Sequence, residues 1–126
     1  MRTRDQQYAM KVYAQAQEVR KDKDYRKYGV MCHRLPILIH TAGLAQALAF
    51  VASRKEAIYN RLLKDLGKTL GVEKDLPQQV REAELNDYMR LTWQVMAALV
   101  WYKRFAQSIL GVDASDRDEQ EGEKGQ

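Results

Sequence analysis

The sequence predicts an all-α, single-domain helical bundle of four main helices plus one or two short ones. Three observations carry this. Only two prolines interrupt the 126 residues, leaving long segments without a helix breaker. Apolar residues recur along those segments at three- and four-residue spacing, and no segment alternates at period two, so no sheet is expected. A chain of this length suits one core and little more. The helical domain is expected over residues 1–112, with an acidic, disordered tail over 113–126.

The first helix is expected from about Arg4 to Lys21. Thr3 and Gln6 have capping-box spacing, in which each side chain satisfies an amide of the first turn. Ala9, Val12, Ala16 and Val19 form its apolar row. A charged, aromatic loop follows, "RKDKDYRKYG". The second helix is expected to start near Pro36, whose fixed φ and missing N–H suit a first turn. It reads "PILIHTAGLAQALAFVA", apolar nearly all round, which predicts a central helix with neighbours close against Ala42, Gly43, Ala45 and Ala49. Ser53 and Glu56 repeat the capping-box spacing and predict the start of the third helix, which Gly71 ends. Asp75 is placed to cap a short helix with Pro77 in its first turn. The last long helix is expected from about Asn86 to Leu110, stopped by Gly111.

The formal charge of +4 hides a division. Residues 113–126 hold six acids and two bases, net −4, so the other 112 residues hold 19 bases and 11 acids, net +8. A basic body favours polyanions by steering and counterion release; a solvated, solubilising surface reads the same way. The lone Cys32 fits a reducing compartment. The polar start "MRTRDQQYAM" is no signal peptide, and the apolar stretch from Pro36 to Ala52 carries His40, Thr41 and Gln46, too short and too polar for a membrane span. A soluble, cytoplasmic protein without membrane contact is expected.

Two segments offer cations to a phosphate backbone. On the third helix Arg54, Arg61, Lys64 and Lys68 are expected to share one face over about 21 Å, opposite an apolar face, with Asp65 beside the stripe. An ordinary solvated face has the same look. The loop from Arg20 to Arg34 holds Arg20, Lys21, Lys23, Arg26, Lys27 and Arg34 with Tyr25 and Tyr28 among them, a composition that suits nucleic acid. Asp22 and Asp24 interrupt it, and the tyrosines equally suit folding onto the body.

On the last helix Tyr88, Leu91, Val95, Leu99, Tyr102 and Ala106 fall on one core face. Met89, Trp93, Met96 and Val100 make a second apolar row. Trp101 and Arg104 share the polar side, Phe105 follows Trp101 by four residues and can stack beneath it, and Lys103 borders the apolar rows. Exposed Trp and Met beside Arg is an interface composition. Trp101, Phe105, Trp93 and Met89 are therefore candidates for a partner surface, and Arg104 for RNA or a partner. Burial of Trp101 by neighbouring segments is the competing reading.

Catalysis is not expected. His33, His40 and Cys32 have no carboxylate evidently beside them, and His40 is expected as a core histidine. No zinc-ligand spacing, nucleophile elbow or phosphate-binding glycine loop is present, so neither metal nor cofactor is expected.

Three stretches, in order, resemble a known family: "RTRDQQYAMKVYAQ", "LPILIHTAGLAQALAFV" and "YMRLTWQVMAALVWYKRFAQSI". They are similar to the small helical subunit of the type III-B CRISPR effector, the Cmr complex, over most of residues 2–110, with the acidic tail outside. The resemblance implies a non-catalytic subunit that stacks in several copies as a filament along the guide-RNA and target-RNA duplex. It would contact other Cmr subunits and bind RNA without reading sequence, in antiviral defence. The Lys103–Arg104 pair matches as a family feature. A helical protein-interaction adaptor without nucleic-acid contact is the alternative class. A helix-turn-helix DNA regulator is disfavoured, because the Gly71–Asp75 turn leads into a proline-bearing segment.

Overall fold

The computed structural model describes residues 1–117; residues 118–126, most of the expected tail, lie outside the described residues. Six helices follow one another: α1 Arg4–Val19, α2 Tyr25–Ala42, α3 Leu44–Ser53, α4 Ala57–Leu70, α5 Leu76–Glu82 and α6 Leu85–Ser108, with no strand among the described residues. Long α6 packs chiefly on α2 and α1, while α3, α4 and α5 close the far side. No helix among the described residues is long and apolar enough to cross a membrane.

The ends of α1, α4 and α5 follow their local chemistry. Thr3 Oγ1 accepts from the Gln6 amide at 3.0 Å and Gln6 Oε1 accepts from the Thr3 amide at 2.9 Å, the reciprocal cap expected for α1. Gly71 ends α4 in the left-handed region, and the Val72 amide donates back to Gly67 at 2.9 Å, a Schellman turn. Asp75 caps α5.

The middle of the chain differs from expectation in three ways. First, most of the expected loop from Arg20 to Arg34 is helix: α2 begins at Tyr25 and runs through Pro36, which lies inside it rather than at its start. The core row Tyr28, Cys32, Leu35 and Ile39 has helical spacing, and its burial outweighs the lost proline hydrogen bond. Second, the expected continuous helix from Pro36 to Ala52 breaks at Gly43, whose φ of 89° and ψ of 161° is open essentially to glycine alone. Ala42 and Ala49 are exposed; Leu44, Ala47, Leu48 and Val51 bury α3 instead. Third, Ser53 caps nothing. It closes α3, its hydroxyl donating to the Phe50 carbonyl at 2.6 Å, and α4 starts at Ala57.

A polar network crosses the core. The Tyr28 hydroxyl donates to Asp65 Oδ2 at 2.7 Å. Gln15 Nε2 donates to the Asp65 carbonyl and to Thr69 Oγ1, both at 3.1 Å, and Tyr102 bonds to Thr69 and Gln15. Asp65 is thus buried, where the wheel placed it beside an exposed stripe. Four helices share this network, and each polar group finds a partner there, as burial requires.

A candidate interface for nucleic acid and partner subunits

The 24 residues of α6 bury Leu91, Val95, Ala98, Leu99, Tyr102 and Ala106 on one face. Beside that face runs an unburied row. Leu85 is 72% exposed, Met89 53%, Trp93 76% and Val100 48%. Further along, the row changes chemistry to Lys103, Arg104 and Gln107, all exposed. Met89 and Trp93 thus stand where the sequence put them, on a ridge that a monomer leaves open. Leu85 was missed, although it stands one turn before Met89.

α2 flanks this row. Just beyond its C-terminal end the Tyr88 oxygen accepts from the Ala45 amide at 3.1 Å, and at mid-helix His33 lines a hollow with Val100, Lys103, Arg104 and Gln107. The two helices are therefore antiparallel, and Ile37, one turn after His33, shares the side of α2 that His33 turns toward α6. Ile37 is 67% exposed, which the sequence did not reveal, because a segment apolar nearly all round is expected to be buried on every side.

Trp101 and Phe105 behave differently. Trp101 stacks on Phe105 with ring centroids 5.8 Å apart, and Tyr13 meets Phe105 edge-on at 5.5 Å. The indole N–H of Trp101 donates to Asp5 Oδ1 at 2.9 Å. Both rings are half-buried on the seam between α1 and α6, so α1 covers much of what was expected to meet a partner.

The candidate cations separate into groups. Arg54 does not belong to the α4 face at all. It follows α3, half-buried, with its guanidinium 5.0 Å from the Tyr59 ring centroid and 6.0 Å from that of Phe50. Four others hold acids: Lys21 with Glu18 at 3.4 Å, Arg26 with Asp116 at 3.5 Å, Lys27 with Glu56 at 3.2 Å and Arg61 with Asp22 at 3.8 Å. Arg20, Lys64, Lys68, Lys103 and Arg104 are exposed and form no ion pair among the described residues. Lys64 and Lys68 border a hollow of about 300 Å³ that also contains Lys74, Glu73 and Asp75. Lys103 and Arg104 border another of about 330 Å³, shared with His33, Val100, Gln107 and Ala114 and lined by no acid among the described residues. The single four-residue stripe on one helix is replaced by two separate basic hollows.

His33 is buried, and its Nε2–H donates to the Val112 carbonyl at 2.8 Å. His40 lies two turns away on the same helix but is exposed, not a core histidine. Burial pushes the Cys32 thiol far above its usual range, leaving it unreactive. Among the described residues no group of three or more His, Cys, Asp or Glu side chains is arranged to hold a metal ion.

Comparison with known proteins agrees with the architecture. A family model described as CRISPR-associated protein (Cas_Cmr5) matches residues 4–109. The CRISPR system Cmr subunit Cmr5 of Thermus thermophilus is 45% identical over 112 residues, spanning 87% of this chain and 98% of that protein. An X-ray crystal structure of a CRISPR-associated Cmr5 family protein, also from Thermus thermophilus, superposes with a TM-score of 0.82 at 45% identity, covering 87% of this chain and 99% of the other.

Proposed function

The chain belongs to the Cmr5 family of CRISPR-associated proteins, and from that premise we propose that it serves as a non-catalytic structural subunit of a Cmr ribonucleoprotein effector in antiviral defence. It stacks in several copies along the guide-RNA and target-RNA duplex beside other Cmr subunits in the cytoplasm. Its apolar ridge meets protein, and its unpaired cations meet the RNA backbone without reading bases.

One observation carries this reading. The exposed row of α6 begins with Leu85, Met89 and Trp93 and ends with Lys103 and Arg104, whose charges no described acid neutralises. Protein-binding and phosphate-binding chemistry thus lie along one rigid element. The test is RNA affinity of the Lys103→Ala/Arg104→Ala variant as a function of salt. The slope of log affinity against log salt is expected to fall by about 2, one unit per lost phosphate contact. An unchanged slope would remove these two residues from the RNA surface.

The adaptor reading without nucleic acid draws on the four candidate cations already held by acids. Recovery of the native assembly with this subunit in contact with no RNA, judged by ultraviolet crosslinking, would favour it.

A further inference from the structure

The family match ends at residue 109, so the acidic end of this chain lies outside the matched body. The structure shows where that segment leaves the bundle. Gly111, with φ of 69°, turns the chain back over the end of α6. Val112 is buried, and its carbonyl is held by His33. Ala114 then lines the same hollow as Lys103 and Arg104. A tight turn follows: the Asp113 amide donates to Asp116 Oδ2 at 2.8 Å, and the Asp116 amide to the Asp113 carbonyl at 3.0 Å. That turn presents Asp116 to Arg26, one of the candidate cations for RNA. One of the first acids of this segment, Asp116, is therefore already paired with a cation of the bundle.

Beyond Arg117 the sequence supplies Asp118, Glu119, Glu121 and Glu123 against the single base Lys124. An extended chain spans about 3.3–3.6 Å per residue. Counted from Ala114 at the hollow, these carboxylates lie four to nine residues on, within reach of Lys103 and Arg104. Among the described residues the hollow is lined by two cations that form no ion pair and by no acid. Tethering gives even a weak internal partner a high effective concentration.

We propose that the acidic segment 118–126 occupies the Lys103–Arg104 hollow and competes there with the phosphates of a polyanion. The contact stands on charge and tether alone; its consequence for RNA rests on the function proposed above. The segment then acts as a tethered competitor, displaced by RNA that also engages neighbouring sites and restraining the isolated subunit from stray RNA.

Carbodiimide coupling of the full chain at low ionic strength tests the contact, since it joins an amine to a carboxylate only when the two touch. Mass spectrometry is expected to find Lys103 joined to a carboxylate within 118–123, together with Lys27 joined to Glu56, whose 3.2 Å pair is the internal control. Single-stranded RNA is expected to suppress the Lys103 link and spare the control. The variant Asp118→Asn/Glu119→Gln/Glu121→Gln/Glu123→Gln is expected to bind RNA at least about threefold more tightly at low salt, the gain fading as salt rises. The control link without the Lys103 link would overturn the proposal. A Lys103 link in a chain that has no affinity for RNA, with or without the four substitutions, would overturn the competition and the RNA reading while leaving the contact. RNA binding that the four substitutions leave unchanged would overturn the competition alone.

Discussion

Gly29 on α2 stands so close to the end of the described chain that a side chain has no room there. A Cβ at this position would lie 2.8 Å from Val112 Cβ and 2.7 Å from Cγ2. Val112 is itself buried and tied to His33, so it cannot swing away. Gly29→Ala gains about 0.5–1 kcal/mol of helix propensity but incurs about 1–3 kcal/mol of overpacking. A lowered urea midpoint is expected, partly restored by the second substitution Val112→Ala, which removes the two γ-methyls at 2.7 and 3.2 Å and leaves only the Cβ contact. A Gly29→Ala chain as stable as the parent would mean that the segment after α6 does not pack as described.

Asp65 offers a second test at the same scale. Burial raises its carboxyl above the ordinary 3.8, opposed in part by the Tyr28 hydroxyl and by Arg61 and Lys68. The folded chain then holds this proton more tightly than the unfolded chain. The stability it contributes is fully present below the unfolded value and is lost as pH rises through the raised folded value. Asp65→Asn keeps an acceptor for Tyr28 and cannot titrate. Urea midpoints of the parent are expected to fall relative to the Asn variant as pH rises from about 4 toward 7. A gap that stays constant over that range would place the carboxyl in its ordinary range. Sequence alone could not find this residue: on the wheel an aspartate between Lys64 and Leu66 belongs to the wet side, and only the Tyr28 hydroxyl from another helix explains its burial.

Among the elements, the sequence was most legible where local chemistry decides. Thr3 with Gln6, Asp75 with Pro77, and Gly71 each mark an end that the structure keeps. It was least legible where tertiary burial overrides a local signal. Pro36 is a fair helix start on propensity, yet the Tyr28, Cys32, Leu35 and Ile39 row continues through it because that row faces the core. Gly43 hid the real corner, since a lone glycine in an apolar run also reads as a close-packing site. The expected positive stripe failed for a related reason. Arg54 was assigned to α4 through Ser53, and once the helix starts at Ala57 that arginine belongs to the preceding turn. The Gly43 corner carries its own prediction. Gly43→Ala forces a side chain into a conformation that costs about 1–3 kcal/mol and brings its Cβ to 3.4 Å from the Tyr88 hydroxyl. The thermal midpoint is expected to fall with helix content at room temperature unchanged; no fall would contradict the φ assigned to that corner.

At the scale of the whole molecule, the division between basic body and acidic end was plain from the sequence, as was the shortage of core to cover every apolar row. Which row stays open was not. Tyr13 and Asp5 on α1 half-cover Trp101 and Phe105, whereas nothing described covers Trp93.

Two kinds of contact along one helix are expected to answer salt oppositely. The proposed contact of Lys103 and Arg104 with an RNA backbone weakens as counterions compete for the phosphates. Association through Leu85, Met89, Trp93 and Ile37 depends on burying apolar area, which excluded salts such as sulfate strengthen. Trp93→Glu at a 76% exposed position is expected to leave the thermal midpoint of the isolated chain within about 0.5 kcal/mol equivalent and to abolish self-association or assembly with partner subunits. Lys103→Ala/Arg104→Ala is expected to keep that association and lose affinity for RNA. Sedimentation in sulfate against chloride, beside RNA titrations at matched ionic strength, separates the two. If Trp93→Glu left assembly intact, the ridge would be an ordinary solvent-facing surface. The proposed stacking would then have to come from the half-buried rings on the α1–α6 seam.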